Sequence, residues 1–230
     1  LFPYTTLFRS LGHCSVNLII QMSKTWEIDR IYKDKGENHP EDEFASAFRV
    51  SITQGWGIAN SSGIRLLTGG KNGKKDYKAG YACLILISTL VETSWSNPWE
   101  DKLDDNGNLQ YWGDAKHKKG YGVLDWNGNK RMNLIHDNIL LDQKNLVPPI
   151  LYFQKKQQGF ITFKGLYKLS SLKKEVYLDP STSKKVLNLK AFCERLTNEP
   201  ISQKWIVSRA KNGIDNESEA PTEWIKYISS

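Results

Sequence analysis

The chain has 230 residues, of which 39% are hydrophobic and 11% aromatic, so it can bury the core of one domain or of one domain with an appendage. Its net charge of +7 and its pI of about 9.1 favour a polyanionic partner, nucleic acid first and a membrane surface second. The three cysteines and four histidines are scattered without metal-ligand spacing, which excludes a zinc signature and favours a reducing cytoplasm.

The first residues do not resemble the rest of the chain. Residues 1–10, L-F-P-Y-T-T-L-F-R-S, look like the translation of a sequencing adapter, and residues 11–21 read as upstream sequence before Met22. A signal peptide is the alternative, but Asn17 interrupts its apolar run and no small-residue cleavage site follows. We therefore expect residues 1–21 to be a non-native leader. No apolar run in the sequence reaches the ~18 residues that a membrane-spanning helix needs.

The first half of the sequence predicts short elements around one long strand. Asp42–Phe48 predicts a short helix, Gly63–Thr68 a strand, and Gly69–Lys78 a lysine-rich turn. Tyr81–Val91 is continuously apolar, as expected for a strand that is buried on both faces. The D-D-N-G-N sequence at Asp104–Asn108 predicts a turn that joins two extended arms.

The second half alternates helical and strand patterns. Gly128–Leu141 predicts a helix, because its apolar residues recur at helical spacing. A double proline at 148–149 precedes a predicted hairpin made by Ile150–Gln154 and Gly159–Leu169. Further strands are predicted at Lys173–Leu178 and Lys185–Arg195, and short helices at Ile201–Ala210 and Pro221–Ile228. This order predicts an α+β domain built on a strongly bent sheet or barrel with flanking helices.

The stretch from Trp99 to Arg131 combines aromatic, acidic and basic residues in the way that a nucleobase pocket requires. Trp99 and Tyr111 lie on the two arms and could stack on the faces of a base, at ~1–3 kcal/mol per base. Asp101 and Asp114 are candidate acceptors for the amino group of a cytosine, and Gly113 would let the base approach the backbone. The candidate phosphate-binding residues are Lys116, Lys118, Lys119, Lys130 and Arg131.

Each of these residues also has a purely structural interpretation. Trp112 alternates with Tyr111, so both cannot face one side of a strand, and we expect Trp112 in the core. Trp99 and Tyr111 fit a core or a base pocket equally well. The aspartates could be turn or cap residues, and a lysine run is often only a solvated surface.

Seven blocks of sequence, in this order and spacing, resemble the N-terminal domain of the AspBHI type of modification-dependent restriction endonucleases. They are C-L-I-L-I-S at 83–88, N-P-W-E-D at 97–101, L-Q-Y-W-G-D-A-K at 109–116, N-G-N-K-R-M at 127–132, V-P-P-I-L-Y-F at 147–153, F-I-T-F-K-G-L at 160–166 and A-P-T-E-W-I-K-Y-I at 220–228. The resemblance extends from about residue 48 to the end of the chain.

The resemblance implies an SRA-like domain, related to the PUA fold, which flips 5-methylcytosine out of duplex DNA and stacks it between two aromatic rings. Trp99 matches the first ring, Tyr111 the second, and Gly128–Arg131 matches a later Gly-Asn-Lys-Arg segment, which adds Asn129 to the expected contacts with the DNA backbone. The base-reading aspartate stays open between Asp101, which lies one step early with Lys102 at the matching position, and Asp114. We favour Asp114, because Gly113 precedes it.

The resemblance also implies a division of labour. We expect residues 22–200 to form the SRA-like reader of modified cytosine, and 201–230 to be a helical appendage or the start of a linker to a missing PD-(D/E)xK nuclease domain. The chain would then not be catalytic by itself, would bind no cofactor, and would leave Mg²⁺ to that nuclease. The expected partner is duplex DNA with a modified cytosine in the cytoplasm, with no membrane and with a possible homo-oligomer in the full-length enzyme.

Two other functions fit parts of the pattern. Asp142, Gln154 and Lys156 loosely imitate the metal-binding and catalytic residues of a compact nuclease, although Gln154 falls in a strand of the reader domain. A PUA-like RNA-binding domain would share the basic and aromatic surface.

Overall fold

The computed structural model describes residues 24–58, 63–90, 100–179 and 182–230. Its helices are α1 (Asn127–Leu140), α2 (Gln203–Asn212) and α3 (Thr222–Ser229), with 3₁₀ turns at Ala45–Phe48 and Lys144–Leu146. Its strands are β1 (Thr25–Trp26), β2 (Ile31–Lys33), β3 (Ile64–Thr68), β4 (Gly70–Lys71), β5 (Lys74–Lys75), β6 (Tyr81–Thr89), β7 (Lys102–Leu103), β8 (Leu109–Trp112), β9 (Ile150–Gln157), β10 (Phe160–Asp179), β11 (Lys184–Thr197) and β12 (Ile201–Ser202).

Within the described residues, eight strands form one mixed sheet in the order β3-β6-β9-β10-β11-β8-β7, with β2 added on β10. The β6–β9 pair is parallel and the other pairs are antiparallel. Register shifts along β10, between Phe163 and Gly165 and again between Leu169 and Ser171, bend this strand, because each extra residue increases local twist. The sheet is curved but open, since β3 and β7 stay at opposite edges.

The continuous apolar sequence of β6 is explained by cores on both faces of the sheet. Cys83, Ile85 and Ile87 join one buried cluster, whereas Leu84 and Leu86 join the other. Successive side chains of a strand point to opposite faces, so a strand covered on both sides needs apolar residues at every position. The predicted strand is confirmed as Tyr81–Thr89, and Val91 lies outside the described residues.

The first core is rich in aromatic rings. Trp26 stacks on Phe48 with ring centroids 5.3 Å apart and meets Phe153 edge-on at 5.2 Å. Trp205 of α2 and Trp224 of α3 are fully buried in the same cluster, and Trp26 of β1 pairs with Ile201 of β12. Residues 201–230 therefore contribute directly to the core of the described domain.

The second core lies under α1. Met132 and Ile135 are buried against Tyr111, Tyr152 and Tyr167 of the sheet. The helix predicted at Gly128–Leu141 is confirmed within one residue at either end, because its apolar stripe is what covers this face.

The predicted α+β class, the bent sheet and the flanking helices are confirmed. Of the two predicted forms, bent sheet or barrel, the structure has the bent, open sheet. The hairpin predicted after the double proline exists as β9 and β10, and the terminal helices exist as α2 and α3. The sequence pattern missed that β10 continues for 20 residues, since it predicted a separate strand at Lys173–Leu178. Among the described residues, no helix is long and apolar enough to span a membrane.

Candidate nucleic-acid interface

A tight hairpin brings the two predicted arms side by side. The Asp104 carboxylate accepts hydrogen bonds from the backbone N–H groups of Asn106 and Asn108, at 2.9 and 2.8 Å, and Gly107 has a φ of 78°. Lys102 then faces Gln110 and Leu103 faces Leu109 across the β7–β8 pair. The turn predicted at Asp104–Asn108 is confirmed, and it fixes Asp101 immediately before β7.

Asp101 is held by donors from two strands. Its Oδ1 accepts from the backbone N–H of Trp112 at 2.8 Å, and its Oδ2 accepts from Ser88 Oγ at 2.6 Å. Ser88 Oγ in turn accepts from the Tyr152 hydroxyl at 2.9 Å, and Gln154 Nε2 donates to that hydroxyl at 3.2 Å. We call Ser88, Asp101, Tyr152 and Gln154 the Asp101 network.

The pKa of the Asp101 carboxyl is higher than that of an ordinary aspartate, because most of the group is buried. Burial raises its pKa from the ordinary 3.8 to about 6, against the hydrogen bonds from Ser88 and Trp112, which favour the charged form. A carboxylate oxygen has more than one acceptor position, so one donor to each oxygen does not use the full acceptor capacity of Asp101. Asp101 is therefore a charged, oriented acceptor at neutral pH, and such perturbed groups cluster at functional sites.

Tyr111 lies beside this network but in the second core. Only 4% of the residue is exposed, its hydroxyl donates to the Ile87 carbonyl at 3.1 Å, and its ring meets Tyr152 edge-on with centroids 6.4 Å apart. A Cβ at Gly63 would lie only 2.8 Å from that hydroxyl, so glycine is needed there. Trp99, the other predicted stacking residue, lies outside the described residues.

Trp112 is not in the core, so the prediction for this residue was wrong. Alternation along β8 does separate it from Tyr111, but Tyr111 takes the buried side and Trp112 the partly exposed side. The Lys190 ammonium lies 5.0 Å from the Trp112 ring centroid, and Tyr177 meets the ring edge-on at 6.2 Å. Which of the two rings is buried depends on which face of the sheet α1 covers. The sequence of a four-residue strand does not indicate which face that is.

Asp114 caps the N-terminus of α1. Its Oδ2 accepts from Gly128 N at 2.8 Å and its Oδ1 accepts from Asn129 N at 3.0 Å. These N–H groups belong to the first turn of the helix and have no partner within it, so a carboxylate stabilises them. The geometry gives Asp114 a structural task that is complete without a ligand.

Asn129 and Gly113 complete this junction. Asn129 is fully buried, accepts from Asp114 N at 3.1 Å, and donates to Val123 O and Asn188 Oδ1 at 2.8 and 3.0 Å. A Cβ at Gly113 would overlap the Asn129 side-chain oxygen. Gly113 is thus required by a close approach, as expected, but its neighbour in the structure is Asn129 rather than a base.

The predicted phosphate-binding residues fall into an exposed and an engaged set. Arg131 donates to the Ile64 carbonyl at 3.0 Å and is partly buried. The exposed cations are Lys116, Lys118, Lys119 and Lys130. In the loop that contains the first three, the Lys118 ammonium lies 3.7 Å from the centroid of the Tyr121 ring, which in turn meets Trp126 at 5.7 Å. This loop presents cations and aromatic faces together.

Two residues of the Asp101 network, Ser88 and Tyr152, were missed by sequence reasoning, and Gln154 was named only for the alternative nuclease. Ser88 is the first polar residue after Tyr81 in the largely apolar stretch Tyr81–Val91, and Thr89 follows it. It is nevertheless only 3% exposed. A hydroxyl in such a position needs a buried partner, and that requirement is the signal that could have been used.

The residues of the alternative nuclease have separate partners. The Asp142 side chain is 87% exposed and pairs with Lys144 at 3.9 Å, whereas Gln154 belongs to the Asp101 network. Among the described residues, no group of three His, Cys, Asp or Glu side chains is arranged to hold a metal ion.

The described fold is a curved α+β sheet with an oriented carboxylate just before β7 and a basic, aromatic loop after β8. The family model described as "Restriction endonuclease AspBHI N-terminal" matches residues 26–230. The chain belongs to this family, and the resemblance inferred from the sequence blocks is confirmed.

Solved structures with the same fold are consistent with this assignment. The DNA modification-dependent restriction endonuclease AspBHI has a TM-score of 0.67 at 24% identity, over 90% of this chain and 91% of that one. The DNA recognition domain of the cytosine modification-dependent restriction endonuclease LpnPI has a TM-score of 0.64 at 19% identity, over 90% and 89%. The MspJI restriction endonuclease in complex with a 27-mer oligonucleotide has a TM-score of 0.70 at 18% identity, over 90% of this chain and 52% of that one. No curated protein matches the chain.

Proposed function

We propose that this chain is a reader of modified cytosine in duplex DNA, which captures the modified base out of the helix at the Asp101 network. The observation that carries the proposal is the carboxylate of Asp101, whose two oxygens are oriented by Trp112 N and Ser88 Oγ. The family and the fold of the solved structures support a DNA partner.

The chemistry of cytosine fits this site. Its exposed edge offers an amino donor at N4, and a carboxylate oxygen with a free acceptor position can receive that donor. Extrusion of a base costs a few kcal/mol of lost stacking, and aromatic rings in the pocket restore about 1–3 kcal/mol. Trp99 and Tyr111 are the proposed rings, and base capture must uncover Tyr111, of which only 4% is exposed in the free chain.

The structure favours Asp101 over Asp114 as the reading residue. Asp114 uses both oxygens on the N–H groups of Gly128 and Asn129, where any displacement would uncap α1. Asp101 instead bonds to a serine hydroxyl that can rotate toward another acceptor. The expectation for Asp114 depended on Gly113, and the space beside Gly113 is taken by Asn129.

Phosphate contacts are proposed for the exposed lysines. Lys116, Lys118 and Lys119 lie in one loop and Lys130 lies in the first turn of α1. Such contacts fix the orientation of a protein on DNA without reading its sequence. These lysines would therefore contribute equally to the affinity for modified and for unmodified duplexes. Arg131 would support the site through the Ile64 carbonyl at the start of β3.

We further propose that the chain recognises DNA but does not cleave it, needs no cofactor for binding, and acts in the cytoplasm. Cleavage, Mg²⁺ binding and any oligomer formation would belong to the full-length enzyme. The buried Cys83 and Cys193 fit a reducing compartment, since burial raises the pKa of both thiols to about 12 and keeps them unreactive.

Equilibrium binding to matched duplexes with and without one 5-methylcytosine tests the proposal. We expect the wild-type chain to prefer the modified duplex about tenfold or more, since one methyl in a fitted pocket is worth ~1–3 kcal/mol. Asp101→Asn should abolish this preference, because Trp112 N would hold the amide oxygen and direct the amide nitrogen toward the amino group of the base.

Asp105→Asn is the matched control, because it removes the same charge from the exposed hairpin turn outside the network. Equal affinity of the wild-type chain for the two duplexes, or a full preference in Asp101→Asn, would contradict the proposal.

A further inference from the structure

The end of the β10–β11 hairpin forms a two-stranded arm. β9 pairs with β10 only up to Tyr167, and β8 pairs with β11 only from Lys190 onward. Residues 174–179 and 184–189 therefore have only each other as ladder partners among the described strands, with pairs from Lys174↔Leu189 to Asp179↔Lys184. We call residues 173–179 and 184–190 the arm.

The two faces of the arm have opposite environments. On one face the Tyr177 hydroxyl donates to Ala115 O at 3.0 Å, Asn188 is fully buried, and Val186 is 8% exposed, so this face packs against the loop after β8. On the other face Val176, Leu178 and Leu187 are 58%, 62% and 43% exposed. Val176 and Leu187 are directly paired across the strands, so these side chains form one apolar patch.

Cations border this patch. Lys174 precedes Val176 by two residues and Lys185 pairs with Leu178, so both share the exposed face. Together, the arm and the loop at residues 115–126 contain eight lysines and three carboxylates, Asp125, Glu175 and Asp179. Glu175 pairs with Lys190 at 3.3 Å. This excess of positive charge suits a polyanion and opposes contact with a second copy of the same face.

We infer that the arm enters the major groove of the duplex beside the captured base, where Val176, Leu178 and Leu187 contact the C5 methyl groups of neighbouring thymines. The inference rests on the proposed function and adds a source of sequence preference to it. The major groove admits a two-stranded β-ribbon, and it exposes the thymine methyl as an apolar group at the base edge. Lys174 and Lys185 would contact the phosphates on the two sides of the groove.

The first experiment uses the wild-type chain with 5-methylcytosine duplexes in which the thymines within one turn of the modified base are replaced by uracil. This replacement removes only C5 methyl groups. We expect the affinity to fall about fourfold for each contacted methyl, as the transfer of one such group predicts. An unchanged affinity would overturn the inference, even where the preference for 5-methylcytosine persists.

The second experiment combines these duplexes with Val176→Thr/Leu187→Thr, which places a β-branched residue with good strand propensity at both positions and removes apolar surface. We expect a loss of about fivefold or more on thymine duplexes, no further loss on uracil duplexes, and an unchanged preference for 5-methylcytosine. Ile31→Thr is the control, because Ile31 is an equally exposed apolar strand residue (62%) outside the arm.

Sedimentation velocity of the same variants tests the alternative that the apolar patch binds a second copy of the chain instead of DNA. A self-association of the wild-type chain that Val176→Thr/Leu187→Thr abolishes, without any effect on DNA affinity, would assign the patch to a second copy and overturn the inference. A failure of the proposed function has a different signature, namely equal wild-type affinity for modified and unmodified duplexes.

Discussion

The two candidate aspartates differ at the residue scale in what their oxygens already hold. Asp114 stabilises the N-terminus of a helix, whereas Asp101 is fixed by one backbone amide and one hydroxyl. The difference depends on contacts between residues 11 to 15 positions apart, such as Asp101 with Trp112 and Asp114 with Asn129. Sequence spacing correctly selected both residues as candidates, but it could not rank them, because tertiary partners set their environments.

Replacement of Asp114 should change stability rather than recognition. Asp114→Ala removes the side-chain cap of α1, and the loss of such caps costs about 0.5–2 kcal/mol of unfolding free energy. We expect chemical denaturation to show this loss while the ratio of affinities for modified and unmodified duplexes stays constant. A variant of normal stability that no longer distinguishes the duplexes would instead identify Asp114 as the reader.

The raised pKa of Asp101 predicts a pH dependence of stability. The folded state holds this proton more tightly than the unfolded state, with pKa values of about 6 and 3.8, so the contribution of Asp101 is largest below pH 3.8 and is lost as the pH rises through 6. The full difference corresponds to roughly 3 kcal/mol, reduced because the residue is partly exposed.

Urea denaturation of the wild-type chain and Asp101→Asn between pH 4 and 7 measures this contribution. The difference between their unfolding free energies should change in favour of the variant up to about pH 6 and then level off. A difference that does not vary with pH would show that the Asp101 carboxyl ionises normally in the folded chain.

At the scale of elements, buried hydrogen bonds hold the end of β8, the start of α1 and β11 together, next to Trp112, whose backbone N–H bonds to Asp101. Asn129 and Asn188 connect the three elements through buried hydrogen bonds, and Gly113 gives them room. The sequence predicted a special glycine in this stretch, but the reason is packing against Asn129. Two asparagines 59 residues apart carry no local signal that they will meet.

Gly113→Ala should disrupt this junction. The added Cβ would overlap the Asn129 side chain, and overpacking of this kind costs about 1–3 kcal/mol. Thermal denaturation should show a clear loss of stability in Gly113→Ala and a much smaller one in Gly122→Ala, where the nearest atom, Asp125 Oδ2, is at 3.4 Å. Equal stability of the two variants would show that the junction tolerates a side chain at position 113.

The loop that contains Lys116, Lys118 and Lys119, here called the lysine loop, should determine the affinity for DNA but not the preference for modified over unmodified duplexes. Removal of Lys116, Lys118 and Lys119 by alanine should weaken binding to modified and unmodified duplexes by the same factor. It should also lower the slope of log K against log salt by about 0.9 for each phosphate that the variant no longer neutralises. Replacement of Lys71, Lys74 and Lys75 in the β4–β5 hairpin removes the same charge and is the control.

A slope that falls equally in the two triple variants would mean that net charge, rather than this loop, determines DNA affinity. A changed preference in the loop variant would place these lysines in the reading of the base.

At the scale of the whole molecule, the sequence predicted the class of fold well and its extent less well. The apolar run of β6 and the stripe of α1 are strong local patterns, and both elements formed where expected. The continuity of β10 over 20 residues and its bulges depend on pairing with β2, β9 and β11, which lie far apart in the sequence. Long-range pairing also creates the arm: the sequence predicted strands at Lys173–Leu178 and Lys185–Arg195, but not that they would pair with each other beyond the rest of the sheet.

DNA recognition would be divided over the whole molecule. The Asp101 network would read one base, the lysine loop would hold phosphates, and the arm would contact neighbouring base edges. All three are joined to β11 or to its neighbour β8, either by backbone pairing or by hydrogen bonds of side chains. Because one sheet positions them, we expect them to engage a single duplex together.

A crystal structure of the chain with a duplex that contains one 5-methylcytosine tests the central claim most directly. We predict an extrahelical 5-methylcytosine whose N4 lies about 3 Å from a carboxylate oxygen of Asp101, at ordinary hydrogen-bond distance, with Asp114 still bonded to the start of α1. A 5-methylcytosine that remains stacked in the bound duplex, or one that is flipped into a pocket without Asp101, would contradict this claim.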